Sequence, residues 1–164
     1  AMKYFMEMWR GRKFERTGII WWNVRDGWPI ISDAVVDYYG SKKLAYYFLC
    51  NVQRNVCLFI NDPREGTYPL VAVNDTREAA RGTVTVTDAA SGREVFRGSY
   101  TVPANGRSEV AALPVTEGQG MFVIRYEVGG ETFANHYLYG EPPYALSDYR
   151  KWLSKTKLYD NRDK

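Results

Sequence analysis

Between Val56 and Tyr139 the chain repeats one short pattern seven times, and this repetition limits its fold more than any other feature. Runs of strand length occur at 56–60, 68–74, 82–87, 94–101, 108–113, 121–128 and 132–139. Several of them alternate. In Thr83-Val84-Thr85-Val86-Thr87 the valines point one way and the threonines the other, as in a strand with one face in a core and one in water. Phe122, Ile124 and Tyr126 repeat the pattern. Gly129-Gly130 suits a two-residue hairpin, because glycine takes the positive φ of a primed turn, and Ala90-Ser91-Gly92 suits a slightly longer one. Short strands at this spacing predict an immunoglobulin-like antiparallel β-sandwich of about seven strands.

The first fifty residues have a different texture. Tyr4, Phe5, Met8 and Trp9 recur at helical spacing within 2–13, and Gly11 is a natural stop. Residues 17–24 then read TGIIWWNV, a continuous apolar run of the kind found in strands buried on both faces of a parallel sheet or barrel. Asp26-Gly27-Trp28-Pro29 breaks it. Ser41 is placed to cap a helix that runs through KKLAYYFLCNV to about Asn51. Helix, buried strand, loop and helix is the order of a repeating β/α unit. A single such unit cannot satisfy the backbone groups of its own strand. Residues 17–24 are therefore expected to be disordered, to pair with another copy, or to pack outside barrel geometry. The boundaries predicted are 1–50 for this unit, 51–140 for the sandwich and 141–164 for a tail. In the tail, Pro142-Pro143 ends the last strand, a short helix runs from Leu146 through Trp152 with Ser147 as cap, and the charged run beyond Lys155 frays.

Composition narrows the chemistry. Lys and Arg number 22 against 19 Asp and Glu, a net charge of +3, and the basic residues are scattered, so nucleic acid is not an expected partner. No apolar run approaches the roughly 20 residues that span a bilayer, so neither is a membrane. No secretory leader is visible, and Ala1-Met2 does not resemble a natural start, which leaves the compartment open. Cys50 and Cys57 are expected as buried free thiols rather than a disulfide. With one histidine, His136, there is no zinc-type ligand set and no cofactor is expected. A GxSxG nucleophile elbow is absent, and Gly118-Gln119-Gly120 is too short to cradle a phosphate. His136 is expected to be a structural residue of the last strand.

Aromatic residues are abundant at 15%, and the densest constellation is Trp21-Trp22-Asn23-Val24-Arg25-Asp26-Gly27-Trp28-Pro29. Indole faces stack on the apolar face of a pyranose while amides and carboxylates take its hydroxyls. The same residues would equally fill a core and make a turn.

The stretch TGIIWWNVRDGWPIISDAVVDYYGSKKLAYYFL resembles the final strand, loop and helix of the catalytic (β/α)8 barrel in glycoside hydrolase family 2, particularly its β-mannosidase-like branch. Trp22, Asp26, Trp28, Pro29, Asp37, Tyr38, Lys43, Ala45 and Tyr46 carry the likeness, with weaker support from Tyr149 and Trp152. In that family the barrel is followed by an immunoglobulin-like domain. The resemblance implies a retaining, exo-acting enzyme whose two catalytic glutamates lie on earlier barrel strands, one of them in an Asn-Glu pair. This chain has no Asn-Glu, and Glu7 and Glu15 fall on the first helix and the loop after it, so no catalytic residue is expected within it. Trp22 and Asn23 would line the subsite of the non-reducing sugar in the whole enzyme. Asp26 and Trp28 would stand in the loop behind them, Asp26 either touching sugar or fixing the loop. The implied partners are β-glycosides and the rest of the barrel, and apolar surface left uncovered would favour a homo-oligomer. An alternative is a carbohydrate-binding sandwich that uses Tyr68, Tyr100 or Tyr137.

Overall fold

A computed structural model describes residues 1–157. The chain divides into two compact units, Ala1–Arg54 and Asn55–Lys164.

The first unit contains α1 (Met2–Arg10) and α2 (Leu44–Val52), packed on each other. Met6, Val35, Leu49 and Val52 form its core, bordered by Ile19, Trp21, Val36, Ala45 and Tyr46. Arg10, at the end of α1, donates to the carbonyls of Val52 and Arg54. Lys43, not Ser41, precedes α2, and no side chain caps it. Ser41 is occupied elsewhere. Its amide donates to Asp37 Oδ1 at 2.7 Å and its carbonyl accepts the Asp37 amide at 2.9 Å, a turn that Gly40 closes at φ +92°.

The strand expected over 17–24 is absent as hydrogen-bonded structure. The side chains nonetheless alternate. Ile19 and Trp21 pack towards the helices, while Ile20, Trp22 and Val24 stand 98%, 78% and 61% exposed. A run of eight apolar-rich residues becomes a strand only when neighbouring strands take its amides and carbonyls; here Val24 O accepts the Val36 amide at 2.9 Å and Gly18 O accepts the Trp9 indole N–H at 2.7 Å, but no ladder forms. The peptide bonds Trp22–Asn23 and Pro142–Pro143 are cis.

The second unit is the predicted immunoglobulin-like sandwich. Strands β1 (Val56–Ile60), β2 (Thr67–Asn74) and β5 (Arg107–Pro114) form one sheet in the order β1-β2-β5. The other is β4-β3-β6-β7, from β3 (Ala80–Asp88), β4 (Glu94–Val102), β6 (Gly120–Val128) and β7 (Glu131–Tyr139). Every pairing is antiparallel. The inner faces meet through Leu58, Ile60, Leu70, Val84, Val86, Phe122, Ile124 and Tyr126, so the alternation of valine and threonine in β3 has the orientation expected. The β6–β7 hairpin turns on Gly129 and Gly130 at φ +60° and +86°, with Val128 opposite Glu131.

The tail forms α3 (Leu146–Ser154), which packs against β6. Met121 and Val123, on the face of β6 turned away from the sandwich core, are fully buried, and Trp152 and Leu153 of the helix are buried as well. Lys155 Nζ donates to Ala89 O at 2.7 Å, and Arg125 donates to Lys155 O. Ser147 does not cap this helix. The Tyr149 amide already bonds Ala145 O, which puts the N-cap at Ala145, two residues before Ser147, and places Ser147 inside the first turn. The fraying expected beyond Lys155 falls largely outside the described residues. Neither cysteine forms a disulfide, but only Cys57 is buried, because Cys50 is exposed on α2.

Candidate functional site

The loop between residues 21 and 43 has little regular structure; Ala34 and Val35 are buried, and hydrogen bonds tie the rest to them. The Asp26 amide donates to Val36 O at 3.1 Å and the Val36 amide to Val24 O, while Lys43 N donates to Val35 O at 2.9 Å. Arg25 reaches across to the Tyr38 carbonyl at 2.6 Å. These contacts bring three stretches of chain together around Val36.

Asp26 is the polar centre. It is 3% exposed. Its carboxylate accepts the Ser32 hydroxyl on Oδ1 and the Lys43 ammonium on Oδ2 at 2.9 Å. Lys43 Nζ also donates to Ser32 O at 3.1 Å, and Ser32 Oγ accepts the Ala34 amide at 3.0 Å. The Ser32 hydroxyl first, and then Lys43, hold the Asp26 carboxyl below the ordinary aspartate value, against the opposing effect of its burial. Both carboxylate oxygens of Asp26 thus have partners within the loop.

The loop's apolar side chains stand outside. Trp28 is 65% exposed, Ile30 half exposed and Ile31 fully exposed. With Tyr38 and Tyr39, Ile30 and Ile31 border a cleft of about 530 Å³ whose polar edge is Ser32, Asp37 and Lys43. Trp22 is exposed on the series it shares with Ile20 and Val24. The Asn23 side-chain oxygen is buried without a hydrogen-bond partner, an arrangement native proteins seldom tolerate. Trp9 anchors the start of this segment. Its indole N–H donates to Gly18 O at 2.7 Å, and the Arg16 guanidinium lies 4.1 Å from its ring centroid.

The remaining candidates fall elsewhere. Glu7 is buried on α1 and takes the Lys3 ammonium at 2.8 Å on both oxygens, while Glu15 is exposed in the loop after the helix. His136 is buried on β7. Tyr68 and Tyr100 are core residues, 7% and 4% exposed, because their positions on β2 and β4 face the opposite sheet, and Tyr137 is partly buried against the same core. Sequence reasoning missed the part played by Ser32. The six-residue spacing between Asp26 and Ser32 carries no local turn signal that could have found it. Among the described residues no group of three His, Cys, Asp or Glu could hold a metal ion, and no helix is long and apolar enough to cross a membrane.

No family model and no curated protein matches the sequence. Solved structures do. The resemblance to the C-terminal end of family 2 glycoside hydrolases, expected from Trp22 to Tyr46, is present in the structure. The chain is similar to the β-D-mannosidase from Dictyoglomus thermophilum, with a TM-score of 0.69 and 25% identity. The match covers 84% of this chain and 18% of that one, so the chain spans under a fifth of the enzyme's length. A slighter likeness, TM-score 0.35 and 19% identity, links 53% of the chain to 13% of the β-glucuronidase from Parabacteroides merdae.

Proposed function

We propose that this chain is the C-terminal part of a retaining, exo-acting glycoside hydrolase of family 2, β-mannosidase-like, that cleaves β-linked sugars when whole. The observation that supports this reading best is the likeness to the β-D-mannosidase over 84% of the chain. On this reading residues 1–50 are the last strand and helices of a catalytic barrel, 51–140 the sandwich that follows it, and 141–164 a tail that seals the sandwich. The exposed series Ile20, Trp22 and Val24 faces the barrel interior, and the partners of residues 17–24 are supplied by neighbouring strands. Trp22 and Asn23 line the sugar subsite at the strand's C-terminal end, where barrel enzymes hold their substrates. Trp28 stands behind them on a loop that Asp26 fixes.

Retaining hydrolysis needs one carboxylic acid to protonate the leaving oxygen and a second carboxylate to attack the anomeric carbon, about 5 Å apart. Glu7 is paired to Lys3 on a helix and Glu15 lies on a separate loop, so the chain alone offers no such pair and is expected to be inactive. The test has two arms. Purified chain is assayed on a panel of aryl β-glycosides, where turnover would overturn the reading. The source gene is sequenced upstream of residue 1, where an open frame with an Asn-Glu pair and a second strand-borne glutamate is expected.

A further inference from the structure

We infer that Lys43 and Ser32 are positioning residues that act through the Asp26 carboxylate to hold the Trp28 indole outward, as a pyranose-stacking face behind the subsite that Trp22 and Asn23 line. The inference rests on the function proposed above and names how that site is kept in shape.

Four observations carry it. First, the loop lacks the usual means of staying ordered. Trp28, Ile30 and Ile31 are all exposed, so no apolar burial pins residues 27–31, and the chain there forms no helix or strand. Second, the polar ties converge on its two ends. Asp26 lies just before the Gly27-Trp28 turn and Ser32 just after Ile31, and one carboxylate joins them, so the intervening residues form a closed loop with Trp28 near its tip. Third, Lys43 reaches this closure from outside and binds both ends, through Asp26 Oδ2 at 2.9 Å and Ser32 O at 3.1 Å.

Fourth, the position of Lys43 has no explanation in its own helix. It is the residue before α2, where a cation opposes the helix dipole and a lysine offers no acceptor to the free amides. The neighbouring Lys42 shows the contrast. Its ammonium lies over the Tyr46 ring at 5.0 Å and takes no part in the loop. Lys43 is placed for the loop, not for the helix. A rigid, outward indole is what stacking requires, because a pyranose face gains little from a ring that must first be ordered.

The experiment labels the chain with 5-fluorotryptophan and follows the 19F resonance of Trp28, assigned with Trp28→Phe. In the parent chain one sharp Trp28 line is expected. Lys43→Met and Ser32→Ala should each broaden or split that line and leave the Trp152 line unmoved, whereas Lys42→Met should leave Trp28 as it was. Lys43→Arg, which keeps the charge, should restore a single line. The inference is overturned if Lys43→Met leaves the Trp28 line unchanged, or shifts all five tryptophan lines together as general unfolding would. Titration of the parent chain with a methyl β-pyranoside tests the underlying reading separately. A saturable shift of the Trp28 line supports stacking, and its absence removes the sugar role while the variants still decide the clamp.

Discussion

The ammonium of Lys43 lies 2.9 Å from Oδ2 of Asp26, with 1% of the aspartate side chain exposed, and the two residues belong to opposite ends of the segment that carries Trp28. An aspartate held below its usual pKa contributes stability that is present above the unfolded value, near 4, and is lost as pH falls through the folded one. The Ser32 hydroxyl and Lys43 set that lower value. The loop should therefore keep its order down through the ordinary aspartate range and release only in stronger acid. In Lys43→Met the release should move up in pH. Amide shifts of Asp26 and Val36, followed by NMR from neutral pH into acid, check the direction.

In the sandwich, Gly82 occupies a place where no side chain fits. A Cβ there would sit 2.0 Å from the Glu127 carbonyl oxygen and 3.1 Å from the Tyr100 ring, and that same carbonyl accepts the Tyr100 hydroxyl at 2.7 Å. Gly82→Ala must push β3 away from β6. A loss of about 1–3 kcal/mol is expected for such overpacking, read as a lower midpoint in urea.

Two tyrosines should titrate late. Burial first, and the Glu127 charge second, push Tyr100 up to about 12. Burial, followed by its hydrogen bond to Asp88 at 3.1 Å, pushes Tyr139 up to about 12 as well. A raised folded pKa gives stability that is full below the unfolded value, about 10, and lost as pH rises through the folded one. Absorbance at alkaline pH should show these two phenols ionising late, as the sandwich opens. Tyr139→Phe should remove one late phenol and lower stability by about 1 kcal/mol.

The thiols offer a simple count. Cys50 is exposed on α2 and Cys57 is buried in β1. A water-soluble disulfide reagent should therefore titrate one thiol in the native chain and two in denaturant. Equal reaction of both under native conditions would contradict the burial of β1.

The sandwich was legible because its signals are local. A period of two survives in several strands, β3 and β6 among them, and the Gly129-Gly130 turn names its own geometry, so all seven strands lie within two residues of the runs that predict them. Residues 17–24 failed for the opposite reason. A fully apolar run announces a strand, but the ladder that makes it one lies in other segments, and only the side-chain alternation of Ile19 to Val24 remains visible. Ser41 and Ser147 show the same limit on a smaller scale. A serine before a helical run is a cap only if its hydroxyl and amide are free, and the Asp37 turn had already engaged Ser41. Within the candidate site, Trp22, Asn23, Asp26 and Trp28 could be named from the sequence. The commitment of Asp26 to Ser32 and Lys43 depends on a fold-back that spacing alone does not encode.

The seal that α3 places over Met121 and Val123 bears on how the chain is made. Strand β6 leaves the ribosome before the helix that covers its outer face, so a nascent chain halted between them presents two buried-type side chains to water or to a chaperone. Completion of the tail is the moment at which that stickiness disappears. A product clipped before Trp152 would carry a finished sandwich and yet still look unfinished to the machinery that culls incomplete proteins.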